Sequence, residues 1–401
     1  MRPAEGLLES AIADGVFPGA CYAFWRDGEL EMGAVGSLTY ELESLPVTLD
    51  TQWDLASLSK VIGTTTAVMI LVQEGKLDLD QPVCELIHEF RVNGKEHITF
   101  RNLMVHNSGL VAFRPYHLTC TEPSEVMNSI YGEELEVETG ADTVYSDLSM
   151  ILVGESIELI SGQGLDEFLW ERVFEPLGMR STGYFGSSPG EASRSQPLPV
   201  RSSPFGRFAS LPSGRVTRQS FLTDTRGGIC VERARCAPTE EVEEWRRTLR
   251  IRRCGEEGAR RLFGENPLYI QGEVHDPTAA VLGGVAGHAG LFSTIGDLVR
   301  FMTHFQNSSE QIVRSDVWCE FTKRQNSQST RALGWDTKSE IGSSAGPSLG
   351  SNSFGHTGYT GTSVWCDPGV RKVAILLTNR VCPTSKNTKI LGFRPKFNEF
   401  C

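Results

Sequence analysis

Apolar residues along this chain change their spacing several times, and each change marks an element. Residues 18 to 37 hold two short apolar runs, Ala20–Trp25 and Leu30–Val35, split by Asp27-Gly28, a pattern that predicts a β-hairpin. Residues 57 to 75 are apolar at helical spacing (Val61, Ile62, Thr66, Met69, Ile70, Val72) and close at Gly75-Lys76. A largely buried helix is expected there, with Ser57 at or just before its first turn. Further helices are expected from about Ser149 to Ile160 and from Leu165 to Val173. Thr294-Ile-Gly-Asp297 reads as a capping box for a helix through Met302 and Phe305. Strands return at Ser363–Cys366 and Val373–Leu377, the second after the turn Asp367-Pro-Gly369.

From about Gly186 to Glu265 the character differs. The first half is rich in Ser, Pro, Gly and Arg, and the second carries the charged stretch Glu240–Arg253. This reads as a long surface insertion with one polar helix, the arginines from Arg246 to Arg253 on its solvated face. Strands at both ends with helices between imply an α+β fold, one sheet drawn from the two termini and a mainly helical lobe inserted. The expected division of the 401 residues is a sheet lobe of 1–56 and 285–401 and a helical lobe of 57–284, together one unit.

Composition narrows the classes of function. Apolar residues at 39% and charged residues at 22% fit a globular chain. A net charge of −12 argues against nucleic acid as a partner. No run of 18 apolar residues suggests a membrane span. The first 15 residues read as a short amphipathic helix without the basic and apolar regions of a signal peptide, so a cytoplasmic location is expected. The ten cysteines show no CxxC pair, and HExxH and His-x-His are missing. Neither a metal site, a cofactor nor a disulfide framework is expected.

Three short segments carry the chemistry. In Ser57-Leu-Ser-Lys60, a hydroxyl and an amine three residues apart share one face of a helical turn. A serine becomes a good nucleophile only when a neighbouring base takes its proton. Tyr145-Ser146-Asp147 precedes a helix, and His356-Thr357-Gly358 lies on a C-terminal strand.

This ordered triplet resembles the serine β-lactamase and penicillin-binding-protein superfamily, in particular its class C-like, esterase and D-aminopeptidase branch. The likeness spans nearly the whole chain, through Thr99–Gly109, Gly283–Thr294 and Gly355–Ser363. Glu273-Val-His-Asp276 and Thr378-Asn-Arg-Val look like a penicillin-binding-protein 4B-type subgroup. The resemblance implies a β-lactamase/transpeptidase-like fold with an antiparallel sheet. It also implies roles: Ser57 as nucleophile, Lys60 and Tyr145 sharing the proton work, and an oxyanion hole from the backbone N–H groups of Ser57 and Tyr359. His356 and Gly358 belong to the strand that binds substrate, where His356 would meet a carboxylate or assist proton transfer.

Two positions depart from the family. Asp147 stands where Asn is usual, and an anion beside Lys60 holds that lysine protonated and shifts the duty of base toward Tyr145. Asp147 could equally cap the helix that follows. His356 replaces a lysine, and a neutral imidazole grips a carboxylate less firmly than a cation. Both changes favour esters or small peptides over β-lactams. His106, His275 and His288 are expected to be structural.

Gly186-Ser-Ser-Pro-Gly190 and Gly342-Ser-Ser-Ala-Gly346 match the G-x-S-x-G elbow. In the first, Pro189 removes the amide an oxyanion needs. The second lies in a Gly/Ser-rich loop with no helix after it. The expected function is therefore a serine hydrolase acting through a Ser57 acyl-enzyme on small esters, amides or D-amino-acid peptides. The rivals are a non-catalytic binding module on the same fold and a D-Ala-D-Ala carboxypeptidase, which would require export. Oligomeric state is not legible.

Overall fold

The computed structural model describes residues 3–185, 233–264, 268–306 and 309–401. Asp27 and Gly28 both take positive φ, 47° and 99°, as a two-residue hairpin turn demands. They close the expected hairpin of β1 (Gly19–Arg26) and β2 (Glu29–Gly36), whose register runs from Arg26 opposite Glu29 to Gly19 opposite Gly36. The remaining strands are β3 (Trp53–Asp54), β4 (Gly183–Tyr184), β5 (Leu291–Ser293), β6 (Asp336–Thr337), β7 (Phe354–Thr357), β8 (Ser363–Asp367) and β9 (Lys372–Thr378). They form an antiparallel six-stranded sheet in the order β2-β1-β9-β8-β7-β6 and a small sheet in the order β3-β5-β4. The large sheet thus joins both ends of the chain.

Its central strands are covered on both faces, which is why they read as unbroken apolar runs. Cys21, Ala23 and Trp25 of β1, with Val373, Ile375 and Leu377 of β9, enter the main core. The alternate residues Ala20, Tyr22, Phe24, Ala374 and Leu376 enter a second core. That second core is closed by the helices Pro3–Ala13 and Ile390–Asn398. The Phe397 ring stacks on Phe24 at 4.8 Å, and Phe393 meets Phe17 edge-on at 5.2 Å.

Mainly helical segments fill the chain between the two halves of the sheet. The helix expected over 57–75 is divided: Lys60–Thr65 winds as a π-helix and continues as the α-helix Thr66–Gln73. The helix Asp147–Ser161 starts two residues earlier than expected. Ser146 is its N-cap, accepting from Ser149 N–H at 3.3 Å, so the capping role open to Asp147 falls to its neighbour. Leu165–Leu169 is α-helical and Trp170–Phe174 π-helical. The helix Ile295–Gln306 forms, but only half of its capping box does: Asp297 N–H donates to Thr294 Oγ1, while the Asp297 carboxylate turns to Ser181, Thr182 and Arg300.

Most of the expected insertion, with Gly186–Gly190, lies outside the described residues. Its charged helix spans Glu244–Phe263, and here the solvated-face reading is corrected. Arg246 and Arg250 are buried, because both find acceptors on Glu273-Val-His-Asp276. Arg250 pairs with the Glu273 carboxylate, and Arg246 donates to Val274 O at 3.0 Å and His275 O at 2.8 Å. Among the described residues no helix is long and apolar enough to cross a membrane.

Within the helical lobe, Glu155 on Asp147–Ser161 accepts from Tyr131 Oη through one oxygen, and its other oxygen is buried without a partner. Burial pushes its pKa from 4.5 up to about 7, against the lowering effect of Tyr131. A carboxyl whose folded pKa is raised contributes stability below its unfolded value and loses it as pH climbs through the folded one. The wild type should therefore lose about 2–3 kcal/mol relative to Glu155→Gln between pH 4.5 and 7 when both are unfolded in urea. Equal slopes in the two proteins would refute this.

Candidate active site

Pairing of β3 with β5, and the bond from Leu55 N–H to Leu291 O at 2.9 Å, carries the chain to Ser57. Ala56 then takes φ = 46°, a left-handed conformation unfavourable for a residue with a Cβ. The Asp54 carboxylate holds it there, accepting from Ala56 N–H at 2.8 Å and from His275 N–H at 2.6 Å. Beyond Ser57, the amides of Leu58, Ser59 and Lys60 each donate three residues back before the π-helix begins. The Ser57 N–H itself has no acceptor among the described residues, and its side chain is half-buried.

Lys60 is fully buried, and its Nζ lies 2.9 Å from Ser57 Oγ, 2.9 Å from His288 O and 2.7 Å from Asp147 Oδ1. An ammonium has three protons and no lone pair, and these three acceptors take one each. Burial pulls the lysine pKa down, but Asp147 and then Tyr145 outweigh it, leaving the group well above its ordinary value. Lys60 is a cation that donates to the Ser57 hydroxyl oxygen.

Tyr145–Asp147 hangs from the loop His106–Ala112. Val144 N–H donates to His106 O at 2.9 Å, Ser146 Oγ to Val111 O at 2.7 Å, and Asp147 N–H to Ala112 O at 2.9 Å. The loop follows a capping box between Thr99 and Asn102, and His106 sits at φ = 59°. The Tyr145 ring packs 4.7 Å from the His106 ring and 5.7 Å from that of His356. Two cations flank the same ring, Lys60 Nζ at 5.0 Å and the Arg331 guanidinium at 4.8 Å from its centroid. Tyr145 Oη is buried without a hydrogen-bond partner.

Hydrogen bonds fix both histidines as opposite tautomers. His106 Nδ1 accepts from Ser146 N–H at 3.1 Å, so its proton is on Nε2. His356 Nδ1 meets Thr357 O at 2.9 Å and must donate, leaving Nε2 a bare acceptor without a partner. Burial first, then Arg331 and Lys60, hold both rings neutral, well below the ordinary histidine pKa.

The turn after β7 completes the site. Gly358 has to be glycine: a Cβ there would lie 2.0 Å from Thr362 Oγ1 and 2.5 Å from Leu55 O. Thr360 and Thr362 donate to Asp54 O at 2.7 Å and Leu55 O at 3.0 Å, tying this turn to the segment that carries Ser57. Tyr359 N–H has no acceptor among the described residues. Its ring is held between Arg380 at 4.5 Å and His275 at 5.6 Å.

Ser57, Lys60, Tyr145, Asp147 and His356 therefore lie in one cluster of contacts, with Gly358 and Tyr359 on the turn braced against it. Ser344 of the rival motif lies in a loop whose neighbours form neither the strand nor the helix an elbow requires. The histidines expected to be structural all touch the site's framework: His106 by its ring, His275 through Asp54, and His288 through its carbonyl. His288 Nε2 also bonds to Asp276 at 2.9 Å. Sequence reasoning missed Arg331 and Asp54. Nothing local marks Arg331, whereas the oddity of an acidic residue two positions before a left-handed alanine emerges only from the backbone.

Comparison with known proteins gives a concordant result. The beta-lactamase family model matches residues 4–390. An N-acetylmuramyl-L-alanine amidase of Bacillus subtilis (strain 168) is 26% identical over 407 positions, covering 95% of this chain and 81% of the relative. EstCE1, a hydrolase with promiscuous acyltransferase activity, superposes with a TM-score of 0.66 at 18% identity, over 98% of this chain and 97% of that one. A class C beta-lactamase gives 0.67 at 15% identity, over 99% and 97%. At these identities the structural likeness establishes the fold.

The buried Lys60–Asp147 pair predicts an asymmetry in stability. Asp147→Ala strands a fully buried cation and should cost about 3–5 kcal/mol in denaturant unfolding. Lys60→Met leaves Asp147, whose side chain is 22% exposed and can hydrate, and should cost clearly less. The reverse order would contradict the assignment of a locked ammonium.

Proposed function

The chain belongs to the beta-lactamase family and is a serine hydrolase, and we propose that it works through an acyl-enzyme on Ser57, acting on small esters, amides or D-amino-acid peptides. The observation that carries this reading is the ammonium of Lys60 donating to Ser57 Oγ at 2.9 Å with its other two protons committed to Asp147 and His288. A lysine so held does not take the serine proton. It stabilises negative charge growing on Oγ.

In this reading Tyr145 acts as a phenolate, its negative charge flanked by Lys60 and Arg331, and becomes the neutral phenol by taking the Ser57 proton. Oγ bonds to the substrate carbonyl carbon, and the carbonyl oxygen becomes an oxyanion facing the free N–H groups of Ser57 and Tyr359. Collapse breaks the bond to the leaving group, which takes the proton from Tyr145. Water then reverses the sequence and releases the acid.

The substrate's own charge is the next element. Arg331 has no hydrogen-bonding or ionic partner for its side chain among the described residues and lies on the Tyr145 ring. It suits a substrate carboxylate, a duty that His356 fits less well, since its neutral ring leaves a bare acceptor and no cation. His356 Nε2 suits a substrate N–H instead.

A fluorophosphonate probe should add one covalent group per chain, mapped to Ser57 by peptide mass spectrometry, and Ser57→Ala should abolish both labelling and the burst with a chromogenic ester. Labelling that persists in Ser57→Ala would sink the reading. Arg331→Ala should raise KM for an ester bearing a free carboxylate by roughly ten- to a hundredfold, the loss of one charged hydrogen bond, and leave KM for a neutral ester nearly unchanged, while kcat falls for both because Arg331 also lies on Tyr145. Equal effects on KM for both esters would remove Arg331 from substrate recognition.

A further inference from the structure

Arg394, on the C-terminal helix Ile390–Asn398, is 5% exposed and forms no ion pair among the described residues. Its Nη2 donates instead to two carbonyls, Gly358 O at 2.7 Å and Thr362 O at 2.8 Å, while Nε is buried without a partner. Burial and the neighbouring Arg380 lower its pKa to about 9, so it remains charged at neutral pH. A desolvated cation satisfied only by carbonyl dipoles is costly to keep. Apolar contacts anchor the helix independently of it, Phe397 on Phe24 of β1 and Phe393 on Phe17.

The carbonyl it grips identifies a purpose. Gly358 O belongs to the same peptide group as Tyr359 N–H, which has no acceptor among the described residues. A peptide is one conjugated unit, so a cationic donor on its oxygen withdraws electron density and makes the N–H at its other end a stronger donor. Gly361 N–H adds a second bond to the same oxygen at 3.1 Å. Arg380 secures the following carbonyl, with Nε donating to Tyr359 O at 2.8 Å.

We propose that Arg394 is a positioning residue for acyl transfer: its guanidinium polarises and orients the Gly358–Tyr359 peptide so that Tyr359 N–H stabilises the oxyanion. The inference rests on the acyl-enzyme reading above. The same contacts also tie the C-terminal helix to the turn after β7, so a purely structural tether is the competing explanation.

Three variants separate the two: Arg394→Gln, Arg394→Lys and, on the same helix but away from the turn, Phe393→Leu. Each is measured for kcat and KM with a chromogenic ester, affinity for an arylboronic acid that forms a tetrahedral adduct on the serine, and thermal midpoint. Losing an oxyanion donor outright costs about a hundred- to a thousandfold in kcat, and weakening one costs a fraction of that. Arg394→Gln should lower kcat and boronate affinity together by roughly tenfold with KM little changed, and Arg394→Lys should recover part of the loss. Phe393→Leu should lower the midpoint without lowering kcat. If Phe393→Leu loses kcat in the same proportion to its midpoint as the Arg394 variants do, the residue is a tether and the inference fails. Should Arg394→Gln not fold, the same comparison is decided by Arg394→Lys. Wild-type turnover that vanishes in Ser57→Ala but is unaffected in both Arg394 variants overturns this inference alone. Turnover and labelling that survive in Ser57→Ala overturn the acyl-enzyme reading instead.

Discussion

A fully buried ammonium constrains everything around it. Lys60 lies beneath Ser57, and removing its charge from water is tolerable only because each proton meets an acceptor within 2.9 Å. The three acceptors come from three places: the turn that bears Ser57, the first residue of the helix Asp147–Ser161, and the loop before β5. Satisfying one cation therefore fixes the relative position of three otherwise separate segments. The π-helical winding of Lys60–Thr65 begins at this same residue, and π turns are frequent at functional sites.

Around that point the structure stores strain and braces it. Ala56 and His106 both adopt left-handed backbone conformations, one beside Ser57 and one beside Tyr145. Such residues persist only where their surroundings over-determine them. Asp54 does so for Ala56, and two threonines of the turn after β7 reinforce the same segment through its carbonyls. The arginines play a parallel part: Arg246 and Arg250 fasten Glu273–Asp276, whose His275 amide completes the grip on Asp54. A chain of hydrogen bonds thus leads from a charged helix far along the sequence to the residue before the nucleophile.

Much of this was legible in the sequence where the signal is local. Asp27-Gly28 dictates a hairpin because both positions require positive φ, and Ser57 and Lys60 meet because three residues span one turn. The protonated state of Lys60 was also readable, because Asp147 in place of an amide changes the charge beside it. Other features depend on long-range contacts. Apolar spacing cannot separate a π turn from an α turn, so the break at Thr66 was invisible. The interleaved glutamates made Arg246 and Arg250 look solvated, since their acceptors lie more than twenty residues away. Arg331 carries no motif, and its position on Tyr145 follows from tertiary packing alone. For His356 the residue type was informative but its role depended on the tautomer, which the Thr357 carbonyl sets.

The most direct test of the account is the charge of Lys60 itself. In protein carrying ¹³C,¹⁵N-labelled lysine, with the Lys60 signal assigned by its loss in Lys60→Met, the side-chain resonance should show an ammonium throughout the range in which the enzyme is active and begin to titrate only above the ordinary lysine value near 10.4. A Lys60 midpoint near neutral pH would contradict the account, because the lysine would then be the free base that activates Ser57 and Tyr145 would lose its role.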